Sequence, residues 1–238
     1  MTNDLLVRVE RVTKTFPSKG EDVTPLENLD LGVERGDFVA LMGPSGSGKT
    51  TLLHLIAGID RATSGHVWVG NVDVGSLSSR KLAHWRNENV GYVFQQYNLV
   101  PVLTAWENVE LPLLLSGDDR GTRDRKVGVA LEAVGLADRA GHLPRQMSGG
   151  QQQRVAIARA IVAGPTLLLA DEPTGNLDAK AAAAVLDLLT TLHQRFGWTL
   201  LMVTHDPRAA AVASRVVHLD KGRITSDERN APLAEATS

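Results

Sequence analysis

Apolar and polar residues change rhythm along this chain, and the changes predict its elements. Leu5–Phe16 and Leu26–Val33 alternate apolar and polar positions, and the polar stretch Pro17–Thr24 joins them. That period of two predicts an antiparallel β-subdomain. Continuous apolar runs follow near 38–42, 90–94, 166–171 and 199–204, with helical stretches between them. Runs of this kind read as strands buried on both faces, so the expected core is a mostly parallel sheet in an α/β fold. Between Gln95 and Pro165 the pattern turns helical, and Val127–Val134 is amphipathic with Gly135 at its stop. Asp178 suits the N-cap of a helix over Ala179–Phe196. Val216–Leu219 and Arg223–Ile224, joined through Asp220-Lys221-Gly222, predict a last hairpin, and beyond Ser226 the residues turn polar and frayed.

Chemistry gathers where these elements meet. After the apolar Phe38–Met42 comes Gly43-Pro44-Ser45-Gly46-Ser47-Gly48-Lys49-Thr50, and the helical Thr51–Ile56 follows. Glycines let this strand–loop–helix turn bring successive backbone N–H groups onto a triphosphate at a helix start. Lys49 would reach the β- and γ-phosphates, and the Thr50 hydroxyl would ligate Mg²⁺. A nucleoside triphosphate is the expected ligand. The run Thr166–Ala170 ends in Asp171 and Glu172, closed by Pro173. Asp171 is placed to hold Mg²⁺, and Glu172, one residue on, to polarise an attacking water. Met147-Ser148-Gly149-Gly150-Gln151 opens a second helix: Ser148 and Gln151 form a capping box, and the two glycines add an anion site that the box alone does not require.

Two phosphate-binding helix starts about a hundred residues apart on one chain resemble the ATP-binding cassette (ABC) ATPases. Their LSGGQ signature is similar to Met147–Gln151, with Met147 in place of Leu as the departure. The resemblance runs from about Leu5 to about Ile224. It implies a P-loop cassette with a RecA-like sheet, the N-terminal β-subdomain and an inserted helical subdomain. The expected division is one domain over 5–226, with 5–94 and 165–226 as nucleotide-binding core, 95–164 as signature subdomain and 227–238 as polar tail. The resemblance further implies that Phe16 stacks on adenine where Tyr is usual, that Gln95 touches Mg²⁺ and the attacking water, that Asp178 belongs to the D-loop, and that His205 contacts the γ-phosphate. Gly43 to Thr51 would line the nucleotide, and Ser148, Gly149, Gly150 and Gln151 would close on the ATP held by a second copy. More narrowly, residues 95–101, 148–154 and 175–178 resemble the branch of lipoprotein-releasing (LolD-like), macrolide-export (MacB-like) and cell-division (FtsE-like) ATPases.

Composition narrows the partners. Lys plus Arg number 25 against 27 for Asp plus Glu, so no global basic charge argues for nucleic acid. The basic cluster Arg120–Lys126 contains Asp124 and reads as a solvated helix face. The absence of cysteine excludes disulfides and zinc–thiolate sites. Met1–Leu5 lacks the pattern of a signal peptide, and no apolar run reaches the roughly 18 residues of a membrane span. The connection Tyr97–Leu103, just past Gln95, is unusually apolar, and in transporters of this family that region grips a membrane subunit. The expectation is an ATPase that energises a membrane transporter or mechanotransmission complex from the cytoplasmic face of the inner membrane. A cell-division role with a membrane partner is the alternative. A soluble ATPase acting on nucleic acid or ribosomes would need tandem cassettes or sustained heptads, and neither is present.

Overall fold

A computed structural model describes residues 4–230, which fall into two compact units. The first unit carries β1 (Leu5–Phe16), β2 (Val23–Glu34), β3 (Phe38–Met42), α1 (Lys49–Ile56), β4 (Ser64–Val69) and β5 (Val72–Asp73). It also holds β8 (Thr199–Val203), α7 (Pro207–Ala211), β9 (Arg215–Asp220) and β10 (Arg223–Arg229). The second unit holds α2 (Ser79–Asn89), β6 (Val90–Val93), α3 (Ala105–Glu110), α4 (Arg120–Ala133), α5 (Gly149–Ile161), β7 (Leu167–Asp171) and α6 (Ala179–Phe196).

In the first unit, β2, β1, β4 and β5 form an antiparallel sheet in that order. Leu6, Val7, Val9 and Val12 of β1 are buried, whereas Arg8 is exposed. The strand bulges between Val9 and Val12, where Arg11 takes a left-handed backbone (φ 49°) and its N–H donates to Asp30 Oδ1 at 2.8 Å. β3 lies between β8 and β9 and is parallel to both. Phe38, Val39, Ala40 and Leu41 are all at most 1 % exposed, as expected of a strand covered on both faces.

The second unit is built on the parallel pair β6–β7 and the helices around it. Gly91 of β6 is a close-approach position: a Cβ there would lie 2.3 Å from the Ala160 carbonyl oxygen of α5. This packing joins β6 and β7 to α5 within the second unit. The units part at Leu77/Ser78 and Trp198/Thr199.

Most elements lie where the hydrophobic pattern puts them, and β1, β3 and α6 match residue for residue. The hairpin β4–β5 and the helix α2 carry no counterpart in the sequence reading. The expected fraying beyond Ser226 is corrected: β10 continues to Arg229, with Asp227 opposite Val217 and Arg229 opposite Arg215. The rest of the polar tail, 231–238, lies outside the described residues. β10 extends because an ion-pair cluster replaces the missing apolar pattern. Arg215 donates to both carboxylate oxygens of Asp227, at 2.7 and 2.5 Å, and to the Gly32 carbonyl at 2.7 Å.

The Arg215 hydrogen bond holds the Asp227 carboxyl below its ordinary range, against a smaller opposing effect of burial. A depressed carboxylate pKa stabilises the fold above the unfolded value of about 3.9, and the contribution fades as pH falls through the folded value. Asp227→Asn leaves the Arg215 guanidinium, 12 % exposed, with the Gly32 carbonyl and the longer 3.8 Å pairing to Asp37. Because the Asp227 side chain is 40 % exposed and screened by solvent, the expected cost is about 0.5–1.5 kcal/mol of stability at neutral pH, read as a lower melting temperature. In strong acid the melting temperatures of variant and parent should converge.

Candidate functional site

In the loop between β3 and α1, Gly43 and Gly48 could not be replaced without movement of their neighbours. Gly43 has φ 145°, and a Cβ there would sit 1.9 Å from the Leu219 carbonyl oxygen. Gly48 has φ 101°, and its Cβ would meet the Pro25 carbonyl oxygen at 2.3 Å. Gly48 also serves as the N-cap of α1 and makes no side-chain cap hydrogen bond. Lys49, 6 % exposed, curls back to donate to the carbonyls of Gly43 at 2.9 Å and Pro44 at 2.8 Å. The loop is therefore already wound around a cation, a cradle complementary to phosphate. Thr50 and Thr51 lie in the first turn of α1.

Phe16 ends β1 and is 42 % exposed. The Lys14 ammonium lies 4.6 Å from its ring centroid and also donates to Asp60 Oδ1 at 2.7 Å and the Arg61 carbonyl at 2.8 Å. One ring face thus carries a cation–π contact. His205 follows β8 and is exposed. Its turn is fixed on both sides: the Asp206 N–H donates to the Thr204 hydroxyl at 3.0 Å, and the Asp206 carboxylate caps α7.

In the second unit, β7 delivers Asp171 and then Glu172, which takes a left-handed backbone (φ 44°). For a residue with a Cβ this is a strained conformation of the kind found at functional sites. The Gln95 amide nitrogen donates to Glu172 Oε2 at 3.1 Å. Gly175 leaves room for the pair, since a Cβ there would be 2.9 Å from Gln95 Nε2 and 3.3 Å from Glu172 Oε2. Burial first, and the Asp171 carboxylate second, push the Tyr92 phenol well above its ordinary pKa, so it stays protonated facing Asp171. Thr50, Gln95 and Asp171 offer only hard oxygen donors, the kind Mg²⁺ takes. Among the described residues no cluster of three His, Cys, Asp or Glu could cage a metal.

Ser148 caps α5 in a full capping box: its Oγ accepts the Gln151 N–H at 3.3 Å, and Gln151 Oε1 accepts the Ser148 N–H at 2.9 Å. The N–H groups of Gly149 and Gly150 fall outside that box. The glycines also answer to packing. A Cβ on Gly149 would be 2.8 Å from the Tyr97 hydroxyl, and one on Gly150 would be 3.1 Å from Ala181 Cβ. Ser148, Gly150, Gln151, Arg154, Asp178 and Lys180 line a groove of about 310 Å³. Met147 is buried in place of the signature leucine. Asp178 caps α6 by accepting the Ala181 N–H at 2.8 Å.

The apolar connection after Gln95 divides in two. Val102 is 78 % and Val100 36 % exposed, whereas Tyr97, Leu99 and Leu103 are half-buried. Asn108, fully buried in α3, accepts the Val100 N–H at 2.7 Å and donates to the carbonyls of Val100, Leu103 and Thr104. Arg159 of α5 donates to the carbonyls of Asn98 at 2.6 Å and Tyr97 at 2.9 Å.

Each unit thus gathers its own share of the anticipated residues. Gly43 to Thr51, Phe16 and His205 belong to the first. Gln95, Asp171, Glu172, Asp178 and the Ser148–Gln151 turn belong to the second, with Gln95 and Glu172 in direct hydrogen bond. Sequence reasoning passed over Lys14, Tyr92, Asn108, Gln153 and Arg159. Gln153 is fully buried and donates to the Pro173 carbonyl at 2.6 Å. A polar residue on the stripe of Ala156, Ile157 and Ala160 was the available signal.

Comparison with known proteins follows the same lines. The sequence profile described as ABC transporter matches residues 26–175. YknY of Bacillus subtilis, an uncharacterized ABC transporter ATP-binding protein, is 45% identical over 219 residues, which are 92% of this chain and 95% of that protein. The macrolide export ATP-binding/permease protein MacB of Burkholderia thailandensis is 44% identical over 94% of this chain but only 34% of MacB. The solved dimeric structure of the ATP-binding cassette MJ0796 of Methanocaldococcus jannaschii, in a post-hydrolysis state bound to ADP and Pi, superposes with a TM-score of 0.87. It is 40% identical and covers 94% of this chain and 98% of its own.

Two glycines of the loop between β3 and α1 separate space from conformation. A Cβ at Gly46 meets nothing within 4 Å, so Gly46→Ala carries only the strain of φ 79°, about 1–2 kcal/mol. Gly43→Ala must displace backbone. The expected result, in thermal melting without nucleotide, is a much larger loss for Gly43→Ala than for Gly46→Ala.

Proposed function

The chain belongs to the ABC transporter family of ATP-binding proteins, and on that premise we propose that Glu172 is the base for ATP hydrolysis and that the energy is delivered to a membrane permease. The Gln95–Glu172 hydrogen bond carries this reading. It joins the residue best placed to take a proton to the start of the segment that exposes Val100 and Val102.

In the proposed cycle, the exposed face of Phe16 stacks on the adenine base. The loop N–H groups and Lys49 hold the phosphates, and Lys49 exchanges its carbonyl partners for phosphate oxygens. Thr50, Asp171 and Gln95 would hold Mg²⁺, which when bound neutralises developing charge on the phosphates. Glu172 accepts the proton of the attacking water while the Gln95 amide orients it. His205 donates to the γ-phosphate. Phosphoryl transfer asks mainly for positioning and charge stabilisation, and these groups supply both.

The groove from Ser148 to Asp178 has the N–H groups to receive a γ-phosphate bound on a second copy, so we assign it to an ATP-sandwiched homodimer. The MJ0796 structures are cassette dimers, which supports that arrangement. The name of MacB couples an ATP-binding part to a permease, which supports a permease partner here. Among the described residues no helix is long and apolar enough to cross a membrane. We place the protein peripherally on the cytoplasmic face of the inner membrane.

Glu172→Gln keeps the amide–oxygen geometry and removes the base. ATP should still bind while turnover falls by about 10²–10⁴-fold. With Mg²⁺ and ATP this variant should shift from monomer to dimer in light scattering, and adding Ser148→Arg should block the shift. Undiminished hydrolysis would reassign the base, and dimerisation of the double variant would reject the sandwich. Val102→Glu should leave melting and ATP binding almost unchanged yet abolish co-purification with the permease. The half-buried Leu99→Glu should lower melting as well, by about 1–3 kcal/mol.

A further inference from the structure

A cavity of about 450 Å³ opens in the second unit, away from every residue assigned above to nucleotide. Its floor is aliphatic, with Val129 of α4 and Ile161 at the end of α5, and its wall is the aromatic pair Phe196 and Trp198. Those rings stack at 4.5 Å with 14° between their planes, because the left-handed Gly197 (φ 64°) turns the chain between them. His193 holds the turn through the Trp198 carbonyl at 2.8 Å. Val129 is 59 % and Phe196 44 % exposed, so the apolar lining is open to solvent. Arg125 and Lys126 are the charged side chains of the lining, and among the described residues no carboxylate lines it. Lys126 is neutralised by Asp118 at 2.6 Å. The Arg125 guanidinium donates to the Thr122 hydroxyl at 3.4 Å, and among the described residues it forms no ion pair.

We propose that this cavity binds a small amphipathic carboxylate, an acyl or aryl acid, with its chain on Val129, Ile161 and the Phe196–Trp198 pair and its carboxylate on Arg125. The volume lies in the range of about 300–1,000 Å³ that suits such ligands, and an apolar lining with one convergent cation is their usual complement. Arg125 can engage a carboxylate through two parallel hydrogen bonds, whereas a cationic amphiphile would be repelled. The site touches the ends of α5 and α6 whose starts, at Ser148 and Asp178, form the nucleotide-facing groove.

Sodium decanoate, titrated calorimetrically below micelle formation, should bind at one saturable site per chain. Decyltrimethylammonium should bind at least tenfold more weakly. Arg125→Glu should invert that order, losing decanoate and gaining the cation, with melting and ATP binding unchanged as proof of folding. Val129→Glu, which places a carboxylate one helical turn from Arg125, should also lose decanoate. Equal affinity for the two amphiphiles, decanoate binding indifferent to Arg125→Glu, or no saturable binding would each overturn the proposal. Nucleotide-independent dimerisation that Val129→Glu abolishes would assign the face to a second copy and overturn it as well.

Discussion

Irregular backbone is the constraint this protein has to manage. Segments that carry chemistry leave strand and helix ladders, and each carbonyl they bury needs a donor from elsewhere. In the second unit Gln153, Arg159 and Asn108 are among the side chains that provide those donors. Gln153 reaches the Pro173 carbonyl just past Glu172, Arg159 reaches Tyr97 and Asn98, and Asn108 grips Val100, Leu103 and Thr104. Two of the three stand on α5, whose first turn also frames the Ser148 groove. Burial lowers the Arg159 pKa, but a guanidinium starts so high that it stays charged, and a charged donor holds a carbonyl more firmly than a neutral one. One helix thus sets the positions of the strand exit, the loop after Gln95 and the groove, and a shift of α5 moves all three together.

Much of this was legible in the chain. The glycine loop, the Asp171–Glu172 pair and the Ser148 turn are local patterns whose chemistry depends on neighbours in sequence, and the structure places each on the strand or helix start expected. What stayed hidden depends on partners far along the chain. Gln153 looks like one more polar residue in a glutamine run until Pro173, twenty residues on, is seen to need its amide. Lys14 stands out by no local pattern, yet Asp60 and Arg61 draw it beneath the Phe16 ring. The last strand was underestimated because its stability comes from Arg215 and Asp227 instead of apolar alternation. Periodicity registers burial and is blind to ion pairs.

The strained Glu172 shows how position and chemistry are joined. A left-handed backbone at a glutamate is held only because the surroundings over-determine it. Here the Glu172 carbonyl accepts the Gly175 N–H at 3.0 Å, while Gly175 leaves space for the Gln95 amide. The Asn176 amide in turn donates to the Gln95 carbonyl at 3.0 Å. The two side chains meet because their backbones are tied to each other.

Phe16 has a different kind of consequence. With an ammonium beneath the ring and no hydroxyl at its tip, the ring can offer a base nothing but its π-face. Stacking of that kind is available to every purine and does not read the hydrogen-bonding edge by which adenine and guanine differ. In its proposed role Phe16 therefore supplies affinity without discrimination between purine bases.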